Sequence, residues 1–420
     1  MQVIIVGAGI GGLTAALALH RIGADVRVYE AVREVQSIGL GINVLPNAMR
    51  VFECLGLDAP LLRTAIETRG YQYSNRRGQI YLREPRGVGA GYRVPQLSVQ
   101  RGELQMLLLR TAQEVLGRDR VLQGHRLQHF TQVGDRVQAT FENRLGGGQV
   151  QDECDLLVAA DGIHSTVRAQ LYPNEGAPKW NGMLMLRGGT ESKQFLGGET
   201  LAMIGNPKSQ YFMAYPISRA HREQGLSLTN WAAAIRAPDP SIPFKPEDWN
   251  RPGNLDDFLP LYRDWKYDWI DVPGLMTGAK AVFEYPFVDR DPLPTWIHGR
   301  VTLMGDAAHP MYPWGSSGAT QAVVDAYVLA DSLSGEKDID AALRRYDGVQ
   351  RPLTSAVVLS NREIGPVDFM TVVEEMAPNG FDNIDELIPP LEMQRLVGRF
   401  KAVGGFTPDS VKDKLVLKPR

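Results

Sequence analysis

The chain has 420 residues, of which 44% are hydrophobic and 22% charged, with a formal net charge of −3. This length accommodates two or three domains. The weak net charge, without any run rich in lysine and arginine, argues against nucleic acid or an anionic membrane surface as a partner. Cys54 and Cys154 stand far apart and outside any CxxC or Cys/His spacing. We therefore expect no metal site and a reducing, cytoplasmic compartment, with a single disulfide between the two cysteines as the alternative.

The first residues could be mistaken for a secretory signal peptide, because positions 3–19 are largely apolar. They lack a basic leading segment, however, and glycines interrupt them. No run elsewhere approaches the length of a membrane span. The sequence predicts a soluble protein.

A glycine-rich turn is the first motif along the chain. Residues 2–6 form an unbroken apolar run, as in a strand buried in a parallel sheet. Gly7, Gly9 and Gly12 follow in GxGxxG spacing, before a segment of helical period at 13–22. Gly7 permits a tight turn, Gly9 lets a pyrophosphate approach the backbone, and Gly12 lets helix and strand pack closely. The motif predicts a dinucleotide site without choosing between FAD and NAD.

An acidic residue strengthens this prediction. A second strand at 25–29 ends at Glu30, which is placed to accept hydrogen bonds from a ribose diol. Gly11 in the turn and Ala31 after the acid are further candidate cofactor contacts. The alternative is a glycine turn that only packs a βαβ unit.

Two later segments decide between the cofactors by resemblance. Residues 154–168 (CDLLVAADGIHSTVR) and 300–330 (RVTLMGDAAHPMYPWGSSGATQAVVDAYVLA) each begin with an apolar strand that ends in an Asp-Gly or Gly-Asp pair. With the N-terminal glycines they resemble the three fingerprints of the flavoprotein monooxygenases related to 4-hydroxybenzoate hydroxylase. The similarity extends over most of the chain. Within the family, RGELQM, SLTNW and YPFVDRDPLP resemble segments of the phenazine-carboxylate hydroxylase type.

The resemblance implies tightly bound, non-covalent FAD and assigns residues to it. Asp306 would bind the ribityl hydroxyls, and Arg101 would contact the cofactor near its ribityl-diphosphate part. Asp161 and Arg168 belong to a motif implicated in handling both FAD and NAD(P)H. The segment alongside the flavin ring and the loop at its pyrimidine end would contribute Asn43, Leu45, Gly315, Gly318 and Ala319. The loop departs from many relatives, because Gly-Ser-Ser-Gly-Ala-Thr stands where Gly-Gln-Gly-x-Asn is common.

The middle of the chain, residues 179–286, has a different pattern. Apolar residues alternate with other residues in short runs, which suits an antiparallel sheet. We predict an α/β fold: a Rossmann-like FAD-binding domain with an inserted, mainly antiparallel β-sheet substrate domain and a C-terminal helical segment. Apolar residues at helical spacing predict a helix at 257–269, and the proline-rich stretch at 237–252 is a predicted loop. The expected domains are FAD-binding at 1–70, 101–178 and 286–334, substrate-binding at 71–100 and 179–285, and C-terminal helical at 335–420.

In this family the reacting ring lies between the inserted sheet and the flavin. Candidate pocket residues are Arg187, Tyr211, Met213, Tyr215, Trp231, Pro313 and Trp314. The competing interpretation is that the aromatic residues are core and that the arginine forms a surface ion pair. His309 is expected to pack under the loop at 313–319, called the flavin loop here, with orientation of a group near the flavin as the alternative. No histidine has metal-ligand spacing.

The resemblance implies a monooxygenase in which NADPH or NADH binds transiently and reduces FAD. O2 would then form a flavin C4a-hydroperoxide that hydroxylates an aromatic or N-heteroaromatic substrate, such as a phenazine or aryl carboxylate, with or without loss of the carboxyl group. A monomer or homodimer is expected. Two alternatives stay open: a reductase or epoxidase acting on an isoprenoid-like substrate, and a non-enzymatic lipid-carrying binder of the GDP-dissociation-inhibitor type.

Overall fold

The structure is a computed structural model that describes residues 1–37, 40–237, 251–363, 365, 367–403, 407–411 and 413–419. The proline-rich loop predicted at 237–252 lies almost wholly outside these residues.

In the described residues the strands are, in chain order, β1 (Gln2–Val6), β2 (Asp25–Tyr29), β3 (Gly41–Val44), β4 (Ile66–Glu67), β5 (Gly70–Ser74), β6 (Ile80–Pro85), β7 (Leu97–Gln100), β8 (Val121–Leu122), β9 (His125–Val133), β10 (Arg136–Asn143), β11 (Gln149–Cys154), β12 (Leu156–Ala159), β13 (Lys179–Lys193), β14 (Thr200–Asn206), β15 (Gln210–Pro216), β16 (Leu226–Arg236), β17 (Lys266–Tyr267), β18 (Ile270–Asp271), β19 (Val282–Asp289), β20 (Ile297–His298) and β21 (Val301–Leu303). The α-helices are α1 (Ile10–Arg21), α2 (Pro46–Cys54), α3 (Asp58–Thr64), α4 (Arg101–Leu116), α5 (Thr166–Leu171), α6 (Arg219–Glu223), α7 (Leu259–Tyr262), α8 (Val272–Thr277), α9 (Ser317–Gly335), α10 (Ile339–Glu363), α11 (Asp368–Met376), α12 (Ile384–Leu387) and α13 (Pro390–Val403).

A six-stranded sheet in the order β20-β21-β12-β1-β2-β8 forms the Rossmann-like part. Its strands β21, β12, β1, β2 and β8 pair in parallel, and only the β20 edge is antiparallel. Val3, Ile4 and Ile5 are fully buried, as an apolar run covered on both faces requires. Because parallel strands end at one edge, the loops after β1, β12 and β21 meet there.

Helix α1 begins at Ile10, three residues before the predicted start. Glycine lowers helix propensity, which is why the sequence pattern favoured a later start. In the fold, close packing outweighs this cost. A Cβ added to Gly11 would lie 3.1 Å from Cβ of Ala322 in α9, so these two helices approach at small residues.

A seven-stranded sheet in the order β19-β13-β16-β15-β14-β5-β6 confirms the predicted, mainly antiparallel insertion. Only the β14–β5 pair is parallel. Alternate residues supply two separate apolar clusters, one on each face. One cluster contains Tyr211 and Tyr215, and the other contains Phe212 and Trp231.

The helix predicted at 257–269 is wrong in extent. A 3₁₀ turn at Leu255–Asp257 precedes the one-turn helix α7, and the chain then forms the short hairpin β17–β18. Tertiary bonds outweigh the local periodicity here. The hydroxyl of Tyr262 donates to the carbonyl oxygens of Tyr211 (2.9 Å) and Ala234 (2.8 Å), which fixes the end of α7 against the sheet.

The predicted C-terminal helical segment is present as α10 to α13, with Pro352 inside α10. Cys54 and Cys154 are buried free thiols rather than a disulfide. None of the helices in the described ranges is both long and apolar enough to cross a membrane. The same residues hold no group of three acidic, histidine or cysteine side chains arranged to bind a metal ion.

Candidate cofactor and substrate site

The turn between β1 and α1 has the shape that a bound pyrophosphate needs. Gly7 has φ +106°, and a Cβ there would lie 2.4 Å from the carbonyl oxygen of Ala160. A Cβ on Gly12 would lie 2.1 Å from the carbonyl oxygen of Gly7. A Cβ on Gly9, in contrast, would meet nothing within 4 Å. The protein thus requires glycine at 7 and 12, whereas at Gly9 it leaves open space beside the N-terminus of α1.

Glu30 lies at this turn, at the end of β2. Its carboxylate accepts hydrogen bonds from the backbone N–H groups of Ala8 (2.7 Å) and Val32 (2.9 Å). Ala31 presents its carbonyl oxygen to Arg144 Nη1 at 3.3 Å. Glu30 is only half-buried, so the side chain that fixes the turn also borders the open space next to it.

Asp306 and Arg101 line one cleft at the start of α9. Both side chains have exposed surface area, yet protein surrounds them closely enough that burial raises the pKa of Asp306 and lowers that of Arg101. Solvent access together with dense surroundings describes groups on the wall of a deep cleft. A Cβ on Gly318 would lie 3.9 Å from Asp306 Oδ1, so the carboxylate faces the first turn of α9.

The loop that leads into α9 has a left-handed backbone at Gly315 (φ +65°) and Ser316 (φ +58°). Ser316 is held by Asn43, whose Nδ2 donates to its hydroxyl at 3.1 Å. Ser98 Oγ in turn donates to Asn43 Oδ1 at 2.6 Å and lies 2.6 Å from Thr68 Oγ1. Asn43, a predicted cofactor contact, therefore orients this loop.

The sequence analysis did not identify Thr68 and Ser98, which continue this series of side-chain hydrogen bonds beyond Asn43. Only the pairing of β3 and β4 with β7 brings them beside Asn43. Leu45 lies directly before α2 and lines the cavity described below. Ala319 lies in the first turn of α9, one residue after Gly318.

Asp161 and Arg168 lie under the cleft. Asp161 Oδ2 accepts from the backbone N–H of Thr166 at 2.8 Å, while its buried Oδ1 has no partner among the described residues. Arg168 is only 2% exposed. Its Nη1 donates to the carbonyl oxygens of Ala307 (3.0 Å) and Ala308 (2.8 Å), directly after Asp306. Arg168 is therefore built into the support of the Asp306 loop.

His309, only 4% exposed, pairs with a buried carboxylate. Its Nε2 lies 2.6 Å from Asp325 Oδ2, and Asp325 is fully buried. The same carboxylate oxygen accepts from the backbone N–H of Gly305, and Oδ1 accepts from Gln350 Nε2. Burial alone would lower the pKa of His309, but the charge and hydrogen bond of Asp325 outweigh it and raise the pKa. We assign no catalytic role to this pair.

On the substrate side, the sheet turns Arg187 toward the FAD-binding part. Its Nη2 donates to the carbonyl oxygen of Gly41 at 2.8 Å, and its guanidinium lies 5.2 Å from the ring centre of Tyr285. These contacts account for an arginine at this position, so the competing interpretation of a surface ion pair is not needed. Burial raises the pKa of Tyr215 to about 12, although Arg187 opposes the shift.

The predicted aromatic residues do not all reach one place. Trp314 packs edge-on against Tyr211 (5.6 Å between ring centres) and against Phe287 (4.8 Å). Pro313 is exposed and Met213 partly buried. The expectation for Trp231 is wrong: it lies on the opposite face of the sheet, where its Nε1 donates to Thr190 Oγ1. The register of the sheet puts Trp231 on the face opposite Tyr211 and Tyr215.

A partly open cavity, whose non-atom space of about 670 Å³ includes adjoining solvent, joins the flavin loop to the inserted sheet. Its lining residues are Leu45, Pro46, Asn47, Tyr71, Tyr73, Glu84, Arg86, Tyr92, Gln96, Met203, Gly315, Val367 and Val397. Most of these were not predicted, because they come from β5, β6, β14, the start of α2, the segment between β6 and β7, and the C-terminal helices. Leu45 and Gly315 are the predicted cofactor contacts that reach it.

The fold and the cleft place the chain in a class of flavoproteins. A family model described as an FAD-binding domain matches residues 1–249 and 290–358, and the chain belongs to this family. A solved structure of Klebsiella pneumoniae HpxO, complexed with FAD and uric acid, aligns with a TM-score of 0.72 and 25% identity, covering 98% of this chain and 96% of that one.

Sequence comparison with curated proteins specifies the class. The phenazine 1,6-dicarboxylic acid hydroxylase PhzS of Lysobacter antibioticus is 45% identical over 366 residues, which is 86% of this chain and 89% of that protein. The 3-amino-4-hydroxybenzoate 2-monooxygenase PtnB3 of Streptomyces platensis is 32% identical, with 87% of each chain covered. Salicylate hydroxylase of Pseudomonas putida is 27% identical, covering 87% of this chain and 85% of that protein. This protein is an FAD-dependent aromatic monooxygenase, which sets aside the isoprenoid-reductase and lipid-binder alternatives.

Proposed function

We propose that this enzyme uses NAD(P)H and O2 to hydroxylate a phenazine carboxylate or a related aryl carboxylate, with or without loss of the carboxyl group. The observation that carries the proposal is the cavity between the flavin loop and the inserted sheet, because its walls combine tyrosine rings with apolar side chains and one arginine. Flat aromatic ligands suit such walls. The name of the PhzS relative, with 45% identity, supports a phenazine ring in particular.

The residues present fit FAD. The open space at Gly9 and the N-terminus of α1 would hold the pyrophosphate, and Glu30 would face the adenosine ribose. Asp306 and Arg101 would hold the ribityl chain from the wall of the cleft. The N-terminus of α9 would face the pyrimidine end of the ring. When bound, FAD supplies the redox chemistry that activates O2.

The chain's own residues orient the ligands, stabilise negative charge in the cleft and exclude water from it. The positive dipole end of α9 favours negative charge in the cleft, and Asn43 fixes the loop that leads into this helix. Trp314, packed between Tyr211 and Phe287, closes the wall between loop and sheet. Where protein and substrate together exclude water from the cavity, each electrostatic contact inside it becomes stronger. The substrate would lie along the tyrosines of the cavity.

The test is anaerobic reduction of the purified holoenzyme by NADPH and by NADH, followed by flavin absorbance, with and without phenazine-1-carboxylate, phenazine-1,6-dicarboxylate and salicylate. We expect one acid to accelerate reduction and, after O2 is admitted, to yield a hydroxylated product by mass spectrometry. Salicylate distinguishes a one-ring aryl carboxylate from a phenazine acid as the substrate. Reduction that yields only hydrogen peroxide with every acid would show that the proposed substrate class is wrong.

A further inference from the structure

One end of the cavity is polar and buried. We call it the polar end and define it by Tyr71, Tyr73, Glu84, Arg86 and Gln96, which come from β5, β6 and the segments after β6. The tyrosines and Gln96 are at most 5% exposed, and the side chains of Arg86 and Glu84 are 17% and 10% exposed. Charged groups this far from solvent are costly unless they have partners.

The guanidinium of Arg86 is held through one nitrogen and by stacking on a ring. Its Nη2 donates to Glu84 Oε2 at 2.7 Å and to the hydroxyl of Tyr73 at 3.1 Å. Its central carbon lies 3.8 Å from the ring centre of Tyr71, so the group stacks on that ring. Stacking and hydrogen bonds together fix the plane of the guanidinium before any ligand arrives.

Two donor groups at the polar end, Arg86 Nε and the hydroxyl of Tyr71, have no acceptor among the described residues. Within the described part of the chain, every hydrogen bond of the Arg86 guanidinium uses Nη2, and Nε is buried without a partner. The hydroxyl of Tyr71 accepts from Gln96 Nε2 at 2.8 Å, which leaves its own proton to donate. Surplus buried donors call for an acceptor supplied from elsewhere, and a carboxylate is the acceptor that best matches an arginine.

The other arginines of the site cannot serve this end. Arg187 lies on β13, and Tyr71 lies on β5, four strands away in the sheet. At about 4.8 Å per strand, the two positions are roughly 19 Å apart. Arg101 begins α4 and shares its cleft with Asp306. Arg86 is thus a separate cation, on the part of the cavity wall contributed by the inserted sheet.

We propose that Arg86, helped by Tyr71, binds a carboxylate of the substrate at the polar end, and so makes the enzyme selective for aromatic acids. The inference rests on the proposed function, because it assumes that the aromatic substrate occupies this cavity. A phenazine with two acid groups could place one at the polar end while another part of the ring system faces the flavin loop at Gly315. Glu84 orients Arg86 but competes for its charge, since both carboxylates seek the same guanidinium.

The competition between Glu84 and the substrate gives a sharp test. Binding to the oxidised holoenzyme, which cannot turn over without a reductant, is measured by the change in flavin absorbance with phenazine-1-carboxylate, phenazine-1,6-dicarboxylate and the uncharged phenazine-1-carboxamide. Arg86→Gln should weaken binding of at least one acid about 10- to 100-fold, as expected for loss of a hydrogen bond to a charged group. Binding of the amide should change less than about threefold. Glu84→Gln should tighten acid binding, because Arg86 then lacks a competing carboxylate.

Controls separate ligand recognition from stability. Arg83→Gln removes an exposed arginine of β6 that bonds to Gln72 rather than to the polar end, and it should leave both affinities unchanged. Arg86→Lys keeps the charge and should retain part of the preference for the acid. If Arg86→Gln keeps the native preference for acids over the amide, or if Glu84→Gln weakens acid binding as much as Arg86→Gln does, the inference is overturned. Hydroxylation of an acid by the native enzyme would still support the proposed function in that case.

Discussion

At the scale of single residues, the buried pair of His309 and Asp325 shows how a titratable group joins three parts of the site. Asp325 belongs to α9, receives the backbone N–H of Gly305 and is bonded by Gln350 from α10. Charge on His309 compensates charge on Asp325 where neither meets water. A buried pair of this kind is costly to break because the remaining charge is left unpaired.

This pair predicts a pH dependence of stability. The pKa of His309 is raised in the folded protein above the value of about 6.5 of an unfolded chain. The folded state therefore binds the proton more tightly. The stabilisation is complete below about pH 6.5 and is lost as the pH rises through the folded pKa. The free energy of unfolding in urea should thus fall from pH 6.5 upward, and His309→Asn should flatten this fall. His129→Asn, on an exposed site, should retain it; an unchanged slope in His309→Asn would contradict a charged pair.

At the scale of elements, the turn between β1 and α1 contains one glycine that the packing of the protein requires and one that leaves space for the cofactor. Gly12 is required by the close approach of α1 to the carbonyl of Gly7, whereas the space at Gly9 is empty in the protein alone. Both glycines look alike in the GxGxxG pattern. Only their surroundings show that one serves packing and the other leaves room for a ligand.

We predict opposite outcomes for the two alanine variants. Gly9→Ala should leave the free energy of unfolding of the apoprotein within about 1 kcal/mol of native, the usual range for an N-cap change. It should weaken FAD binding at least about tenfold, or 1.4 kcal/mol, because the methyl group fills the space for the pyrophosphate. Gly12→Ala should destabilise the apoprotein itself. FAD titration by fluorescence and urea unfolding measure both.

Gly348→Ala is the matched control, since a Cβ there meets nothing within 4 Å and the site lies in α10, away from the turn. It should bind FAD normally. Native FAD affinity in Gly9→Ala would show that the pyrophosphate does not approach this residue.

At the scale of the whole molecule, the C-terminal helices tie the inserted sheet to the FAD-binding part. Arg362 near the end of α10 donates from Nε and Nη2 to the two oxygens of Asp289, at 2.6 and 2.7 Å. Asp289 ends β19, and its side chain is fully buried. Helix α10 also contacts α9, which begins at the flavin loop. The cavity therefore depends on elements from all three parts of the chain.

Removing this link should cost stability. Arg362→Gln leaves Asp289 buried without its cation and should lower the free energy of unfolding by about 3–5 kcal/mol. The double variant Arg362→Gln with Asp289→Asn should recover much of that loss, because no buried charge remains. Arg263→Gln, at a pair whose side chains are 76% and 86% exposed, should change it by less than about 1 kcal/mol. Urea unfolding of the native protein and the three variants measures these free energies. Equal losses of unfolding free energy in Arg362→Gln and in the double variant would exclude the charge explanation.

The sequence by itself determined the fold class through local patterns, and it determined the cofactor and the reaction class through the resemblance of its three motifs to those of a known family. The glycine spacing, the apolar runs at β1, β12 and β21, and the acids that follow β2, β12 and β21 all fall within short segments. The position of Asp306 just after its strand was predictable for this reason, whereas its approach to the first turn of α9 was not.

Only the tertiary structure decided the substrate end of the site. Arg86, Tyr71 and Gln96 are separated along the chain and carry no motif, and they meet because β5 and β6 join the edge of the sheet. Trp231 shows the same limit, since alternation marks two faces but not which one meets the flavin. Local patterns determine elements, whereas long-range pairing and register determine which side chains share a cavity.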